Sequence, residues 1–390
     1  MKYTAQASSA GINGEVKLSL EANSLIVSAL FDTEEIPFVS INELILENYA
    51  VTVKTDNGEY FFSRMGSWVQ PFYDVFKDMY NKAVLRAFFV SDNLIIKAAG
   101  CYEYSEEGFS ASGKAAFQVY ENCAVILPPD SNARRIPLCF TVGMDSGDFR
   151  LNLRLNNGDS YTFAKLGHET EVFIQRIETQ IRALREKALA ALKEFDLSLT
   201  PIQASKLAKL LPEGAAAPIG KIAEIAPNFI TAFEKRILGT RIGESYKAFK
   251  ELCEPSKIWV GFKKNYLSDD SDDTSCDIPP FSFWMIAPSS DGEYAVVEFS
   301  QTDTATFIYR TDGDFDGCAM RLNRALEAIS FRREVIRLTD EELLKSENAD
   351  YCMASKRTAS LKYVRANFAG RIIHNSSWKH KLEEILEMNS

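Results

Sequence analysis

The sequence predicts an α+β fold of tandem modules, each a strongly bent antiparallel sheet capped by one C-terminal helix. A helical insert and a C-terminal strand-plus-helix domain follow. Three observations predict this: an internal repeat of about 100 residues, alternating strands joined at Asn-Gly turns, and one amphipathic helix ending each copy. The chain has 390 residues, which suits two or three domains of roughly 150 residues each.

The repeat is clearest where residues 48–66, NYAVTVKTDNGEYFFSRMG, match residues 148–167, DFRLNLRLNNGDSYTFAKLG. In both copies alternating apolar residues indicate half-buried strands. The dipeptides Asn57-Gly58 and Asn157-Gly158 supply the positive φ angles of a tight hairpin turn. Earlier segments match too, so each copy is predicted to hold about six short strands. These segments are 14–20 with 113–119, 24–30 with 123–129, and 36–38 with 136–138.

Each copy then ends in a predicted helix whose apolar stripe needs a surface to cover. In the first copy, Ser67 with Gln70 fits a capping box at the start of the helix. In the second copy the pattern is longer and is predicted to continue to Phe195. The stripes consist of Trp68, Phe72, Phe76 and Tyr80 in the first copy, and of Val172, Phe173, Ile177, Ile181 and Leu184 in the second.

Strands followed by one capping helix, twice over, resemble the pleckstrin-homology-like (PH-like) fold, and specifically its bacterial repeat proteins. The strand–Asn-Gly–strand–Gly–helix endings carry the resemblance, which covers residues 1–195. The resemblance implies phosphoinositide binding as a candidate function, which some such domains achieve with basic residues in the first strand pair. Here the corresponding stretches Gly14–Glu21 and Gly113–Glu121 offer only Lys17 and Lys114. Because capture of an inositol phosphate needs several cations, we expect protein binding before lipid binding.

The second half of the chain changes character after residue 196. Thr200 and Pro201 favour a helix start, and further helices are predicted up to residue 255. Four strands are predicted from Lys257 onward, then a helix at about residues 316–329 and a helical tail from residue 339. This last region is either a third, degenerate PH-like copy or an unrelated module. The predicted domains are 1–98 and 99–196 for the two PH-like modules, 197–255 for a helical spacer and 256–390 for the third α+β module.

Composition and charge bear on the compartment and on partners. With 44 Lys and Arg against 54 Asp and Glu, the net charge is −10, which gives no global attraction for nucleic acid or anionic membranes. The seven cysteines are scattered without CxxC spacing, as expected for core residues in a reducing compartment. The first residues lack the apolar segment of a secretory signal, and no stretch is apolar enough to span a membrane. We therefore expect a cytoplasmic protein.

The most suggestive local motif is the run from Asp312 to Gly317, DGDFDG. Alternate carboxylates on Asp312, Asp314 and Asp316 suit a calcium loop. An EF-hand loop, however, needs a glutamate at its twelfth position, and that position is Asn323 here. The competing interpretation is a polar turn whose aspartate caps the following helix. We therefore predict no metal site. The three aspartates are the candidate ligands if the loop does bind calcium.

Other motifs favour structural explanations. The acidic run at residues 268–275 is predicted to be a solvated loop. His168 is expected at a helix start, and His374 and His380 are six residues apart, which does not suit two metal ligands on one helical face. There is no GxSxG elbow, no phosphate-binding loop, no GxGxxG fingerprint and no zinc spacing. The sequence therefore predicts no catalytic residues and no cofactor.

The C-terminal 40 residues are the one basic region, with aromatic residues interleaved among the cations. Such a segment could bind nucleic acid, but docking of terminal helices on the acidic remainder of the chain is the simpler explanation. We therefore expect a non-enzymatic interaction or scaffold protein that binds a protein partner through a strand edge, a sheet–helix groove or the long second helix. A membrane-surface or lipid sensor is the first alternative. A metal-dependent enzyme using the loop at Asp312, Asp314 and Asp316 is the second.

Overall fold

The structure is a computed structural model that describes residues 2–9, 11–90, 93–212, 215–265, 280–300, 304–330 and 334–387. The chain divides into two compact units. Unit 1 consists of Met1–Pro137, Thr141–Ile177 and Leu338–Ala359, and unit 2 of Leu138–Phe140, Glu178–Arg337 and Ser360–Ser390. The acidic run predicted as a loop lies outside the described residues. No helix among those residues is both long and apolar enough to cross a membrane.

Module 1, the first part of unit 1, is a seven-stranded antiparallel sheet followed by one helix. The sheet order is β4-β3-β2-β1-β7-β6-β5, so β5, the first strand of the second meander, lies at an edge of the sheet. The elements are β1 (Lys2–Ser8), β2 (Asn13–Leu20), β3 (Ser24–Ser28), β4 (Thr33–Pro37), β5 (Ile41–Glu47), β6 (Ala50–Thr55), β7 (Gly58–Ser63) and α1 (Val69–Ala87).

Module 2 repeats this arrangement with the sheet order β11-β10-β9-β8-β14-β13-β12. Its elements are β8 (Leu94–Glu106), β9 (Phe109–Tyr120), β10 (Cys123–Leu127), β11 (Arg134–Pro137), β12 (Thr141–Gly147), β13 (Arg150–Leu155), β14 (Ser160–Ala164) and α2 (Thr170–Phe195). Two curled antiparallel sheets of the same strand order, each followed by one helix, confirm the predicted fold class, α+β with tandem sheet-and-helix modules. Each module has seven strands instead of the six predicted from the sequence.

The two modules also share local irregularities of the backbone. The register of β5 against β6 shifts between Ile41 and Glu43, and that of β12 against β13 shifts between Thr141 and Gly143. The predicted turns form, but in each of them only the glycine, Gly58 or Gly158, takes a positive φ. A second pair of turns, which the sequence pattern did not reveal, uses positive φ at Asn48-Tyr49 and at Asp148-Phe149.

Helix α1 covers the sheet of module 1 largely as its apolar stripe predicts. Phe72, Phe76 and Tyr80 are fully buried, and the ring of Phe72 lies 5.0 Å from that of Tyr3. Two details of the prediction are wrong. Trp68 precedes the helix in a 3₁₀ turn and is exposed, and the N-terminus has no side-chain cap from Ser67. The 3₁₀ turn shifts the helix start to Val69, which removes the register that a capping box needs.

Helix α2 repeats this pattern. Phe173 and Ile177 are buried against module 2, whereas Val172, which the stripe had included, is exposed. The segment Leu338–Ala359 completes unit 1 with α9 (Asp340–Leu343) and α10 (Ala349–Arg357), and α10 packs along α1. The ring of Tyr351 lies 5.7 Å from that of Phe89.

Unit 2 is built on a six-stranded antiparallel sheet in consecutive order, which is not the strand order of the two modules. Neither of its edge strands was predicted as a strand, since one lies in the predicted helical spacer and the other in the predicted helical tail. The strands are β15 (Ala216–Pro218), β16 (Trp259–Lys264), β17 (Phe281–Pro288), β18 (Tyr294–Ser300), β19 (Thr304–Arg310) and β20 (Phe368–Ile372). The helices are α3 (Pro201–Leu210), α4 (Ile219–Ile225), α5 (Pro227–Ile237), α6 (Gly243–Leu252), α7 (Phe315–Ala328), α8 (Glu334–Arg337), α11 (Ala359–Ala366) and α12 (Trp378–Leu386).

The core of unit 2 is aromatic. Phe195, at the end of α2, packs against Phe233, Phe262 and Phe281, with ring separations of 5.8, 4.4 and 4.9 Å. The predicted helix start at Thr200 is confirmed, since its side chain accepts from the backbone of Gln203 in a reciprocal capping box.

Candidate functional site

The open edge of the module 1 sheet is occupied by an extended segment of module 2. The backbone amide of Leu44 in β5 donates to the carbonyl of Pro129 at 2.8 Å, and the amide of Ser131 donates to the carbonyl of Asn42 at 2.9 Å. From the helix side, the hydroxyl of Tyr80 donates to the carbonyl of Asp130 at 3.1 Å. The loop between β10 and β11 therefore acts as a short added strand in the groove between β5 and α1.

The sequence of this loop explains why it can occupy the groove. Pro128 and Pro129 disfavour helical backbone in the residues before them, so the chain stays extended at this point. A side-chain oxygen of Asp130 accepts from the amide of Asn132 at 2.7 Å, which turns the chain back toward β11. Burial raises the pKa of Asp130, and the bonds from Asn132 oppose that rise.

Helix α10 covers the same groove with two cations. Arg357 is only 2% exposed, and its Nη2 donates to the hydroxyl of Tyr80 at 2.7 Å. Its Nε and Nη1 have no hydrogen-bond partner among the described residues. Lys356 donates to the carbonyl of Val39 at 3.1 Å and to the carboxylate of Asp56 at 2.6 Å. Burial raises the pKa of Tyr80, and the charge of Arg357 opposes that rise.

The equivalent edge of module 2, on β12, is open in the part of the chain that the structure describes. Because the register shifts correspond, Val142 and Met144 occupy the positions that Asn42 and Leu44 occupy in β5. Across the described ranges, no other segment forms backbone hydrogen bonds with Val142 or Met144 of the kind that closes β5. The side chain of Val142 is 65% exposed. An exposed edge strand of this kind is a template for pairing with another strand.

The surroundings of β12 are more apolar than those of β5. Ile174 in α2 stands where Tyr73 stands in α1, counted from the matching glycines Gly66 and Gly167 that precede the two helices. Tyr73 donates to the backbone carbonyl of Leu44 at 3.4 Å, whereas an isoleucine can make no such bond. The open edge of β12 with the adjoining first turns of α2, residues 142–144 and 170–177, is called the β12 groove below.

The structure separates the aspartates predicted as calcium candidates. Asp314 is the N-cap of α7 and accepts from the amide of Gly317 at 2.9 Å, while Asp316 lies in the first turn of the helix and Asp312 in the preceding turn. A Cβ at position 317 would overlap the carboxylate of Asp314, so any larger residue there would displace this cap. Asp314 and Asp316 also line an open groove of about 890 Å³ in unit 2. Within the described ranges, no three acidic, histidine or cysteine residues are arranged to hold a metal ion.

A polar cluster that the sequence pattern did not reveal lies inside unit 2. The carboxylate of Glu298 is fully buried and lies 2.9 Å from Nε2 of His374. Ser245 donates to it at 3.0 Å, and Thr306 donates to its other oxygen. The indole of Trp378 donates to the hydroxyl of Thr306 at 2.8 Å. Because these residues come from α6, β18, β19 and the C-terminal segment, no local spacing could have identified them.

The remaining histidines and the basic tail have ordinary surroundings. His168 lies in the 3₁₀ turn before α2, and His380 is exposed beside Glu383 and Glu384 on α12. Within the tail, Lys379 pairs with Glu251 at 2.8 Å. With the pair between Lys356 and Asp56, this places two of the tail cations on acidic residues of the chain itself.

Comparisons with known proteins add little to this site. No family model and no curated protein matches the chain. One similar solved structure is described as the structure of the Spt16D Pob3N heterodimer. That match covers 43% of this chain and 97% of the other, at 11% sequence identity and a TM-score of 0.17. A similarity at this level carries no inference about function.

Proposed function

We propose that this protein is a non-enzymatic interaction protein that binds an extended protein segment by strand addition in the β12 groove. One observation carries the proposal. The corresponding groove of module 1 already holds such a segment, bound through Leu44, Asn42 and Tyr80, whereas the same positions of β12 are open among the described residues. Unit 1 thus contains both a filled and an unfilled version of one binding groove.

Strand addition suits the groove physically. The backbone groups of an edge strand supply affinity without regard to sequence, and the neighbouring side chains supply selectivity. In the β12 groove those side chains are apolar, namely Val142, Ile174 and the partly buried Met144. The bound segment should therefore be extended and should carry apolar side chains toward these residues.

The shared strand order, register shift and turn geometry of the two modules support a tandem PH-like repeat protein. We propose that it belongs to the bacterial branch that its sequence resembles and acts in the cytoplasm. Neither the lipid-sensing alternative nor the metal-dependent alternative gains a specific observation from the described part of the chain. The first strand pair of each module is poor in basic residues, and Asp314 serves as a helix cap.

The test uses peptides selected on the full chain from a random library of extended peptides. Their affinities are then measured for the unsubstituted protein and for Met144→Pro, which removes the outward amide, with Met144→Leu as the matched control. Losing one buried backbone hydrogen bond should weaken binding by about tenfold or more in Met144→Pro, and Met144→Leu should bind normally. Thermal unfolding checks that both variants fold. Selected peptides that bind Met144→Pro as tightly as the unsubstituted protein would overturn the proposal.

A further inference from the structure

We infer that the segment bound in the β12 groove is supplied by a second copy of this chain, through the turn Ala29–Asp32 between β3 and β4. The inference rests on the proposed function and names its partner. Within one chain, the two modules are already joined by a contact of this kind. The loop between β10 and β11 of module 2 fills the groove of module 1, and the corresponding turn of module 1 is still available.

The turn of module 1 corresponds in position to the loop that docks. Residues 24–30 match residues 123–129, so Leu30 takes the place of Pro129, Phe31 that of Asp130 and Asp32 that of Ser131. The turn is closed by a hydrogen bond from the amide of Ala29 to the carbonyl of Asp32 at 2.8 Å. This bond leaves the central residues of the turn projecting at the end of the hairpin.

Those central residues are unusually apolar for an exposed turn. Leu30 is 85% exposed and Phe31 is 96% exposed, and they are adjacent in sequence. A single exposed apolar residue is common, but a projecting pair of large ones at a hairpin tip is typical of a binding surface. Module 2 has Pro129 and Asp130 at these positions, where the backbone supplies the observed contacts.

The two partner surfaces match in chemistry. In module 1 the contact to the hydroxyl of Tyr80 is made by the backbone carbonyl of Asp130. In the free pair of surfaces, the apolar Leu30 and Phe31 would lie beside the apolar Val142 and Ile174.

An association of this kind is heterologous, because the turn of one copy meets the groove of the next. When two copies have joined, one keeps a free turn and the other keeps a free groove. Further copies can therefore add head to tail into an open chain or a closed ring. Self-association should therefore grow with protein concentration, and it should stop at a pair when the turn is blocked in one copy and the groove in the other.

Sedimentation velocity across low to high micromolar concentration tests the inference with the full chain. The unsubstituted protein should increase in mass with concentration. The turn variant Leu30→Asn/Phe31→Asn and the groove variant Met144→Pro should each stay monomeric. An equimolar mixture of these two variants should form a 1:1 pair and nothing larger, because one intact turn meets one intact groove. Tyr49→Asn, which changes an aromatic residue 84% exposed in another hairpin turn of module 1, should associate like the unsubstituted protein.

A monomeric unsubstituted protein over the whole range, or a turn variant that associates normally, would overturn the self-docking inference. The proposed function fails separately. If selected peptides still bind in a manner that Met144→Pro abolishes while the protein stays monomeric, the β12 groove binds a different protein and only the second-copy inference is wrong. If peptides bind Met144→Pro normally, the proposed function is wrong, whatever the mass of the protein.

Discussion

The amide of Leu44 donates to the carbonyl of Pro129 at 2.8 Å, so a residue of module 2 closes the edge strand of module 1. The same loop reaches the helix of module 1, where Asp130 accepts from Tyr80. Edge strands are a liability unless they are covered or paired, and module 1 solves this by pairing with its own chain. In module 2 the corresponding position, Met144, has no such pairing among the described residues.

The contact between Asp56 and Lys356 should make part of the stability of unit 1 depend on pH. Burial by itself would raise the pKa of Asp56, but hydrogen bonds from Lys356 and Asn42 outweigh it, so the pKa lies below its ordinary value of 3.8. A carboxylate with a lowered pKa stabilises the fold above its unfolded pKa, and that contribution is lost as the pH falls through the folded pKa.

We therefore expect Asp56→Asn to be less stable than the unsubstituted protein at pH 7, with the difference shrinking as the pH falls below about 3.8. Urea unfolding of the two proteins across this pH range measures the difference. A gap that is constant, or that widens in acid, would show that the ion pair with Lys356 does not hold α10 in place.

Tyr80 and Arg357 should be energetically coupled. Tyr80→Phe removes the donor to Asp130 and leaves the buried guanidinium of Arg357 without its hydrogen-bond acceptor, so it should destabilise the protein by about 1–3 kcal/mol. In an Arg357→Met background the same substitution should cost less, because no buried charge is then left unpaired. A double-mutant cycle measured by urea unfolding checks this. Equal costs in both backgrounds would contradict the coupling.

The pair formed by Glu298 and His374 should be important for the stability of unit 2. His374→Ala leaves a fully buried carboxylate with only the hydroxyls of Ser245 and Thr306, which should cost about 3–5 kcal/mol. Adding Glu298→Gln should recover part of that loss, since a neutral amide is less costly to bury. Thermal unfolding of the single and double variants provides the comparison. A double variant less stable than His374→Ala alone would argue against a buried charge as the cause.

The features predicted correctly from sequence are local ones. The Asn-Gly hairpins, the buried face of α1 and the helix start at Thr200 each depend on residues within a few positions of one another. The repeat of about 100 residues extended this local information to two modules with one strand order.

The features that were missed depend on contacts between distant segments. Strands β15 and β20 are short and become strands only because β16 and β19 present open edges to them. Glu298 meets His374 across most of unit 2, and the loop at Pro129 meets Leu44 across most of unit 1. Trp68 was misassigned because a 3₁₀ turn delays the helix start by one residue, to Val69, and helix ends commonly vary by that amount.

Hydrogen exchange at single-residue resolution tests the central claim most directly, because it compares the two edges within one molecule. In dilute protein, where copies do not associate, the amides of Leu44 and Ser131 should exchange slowly, and the amide of Met144 should exchange far faster than that of Leu44. This result would show that the groove of module 1 is filled and that of module 2 is free. Exchange at Met144 as slow as at Leu44 would contradict the account, because the β12 groove would then already be closed.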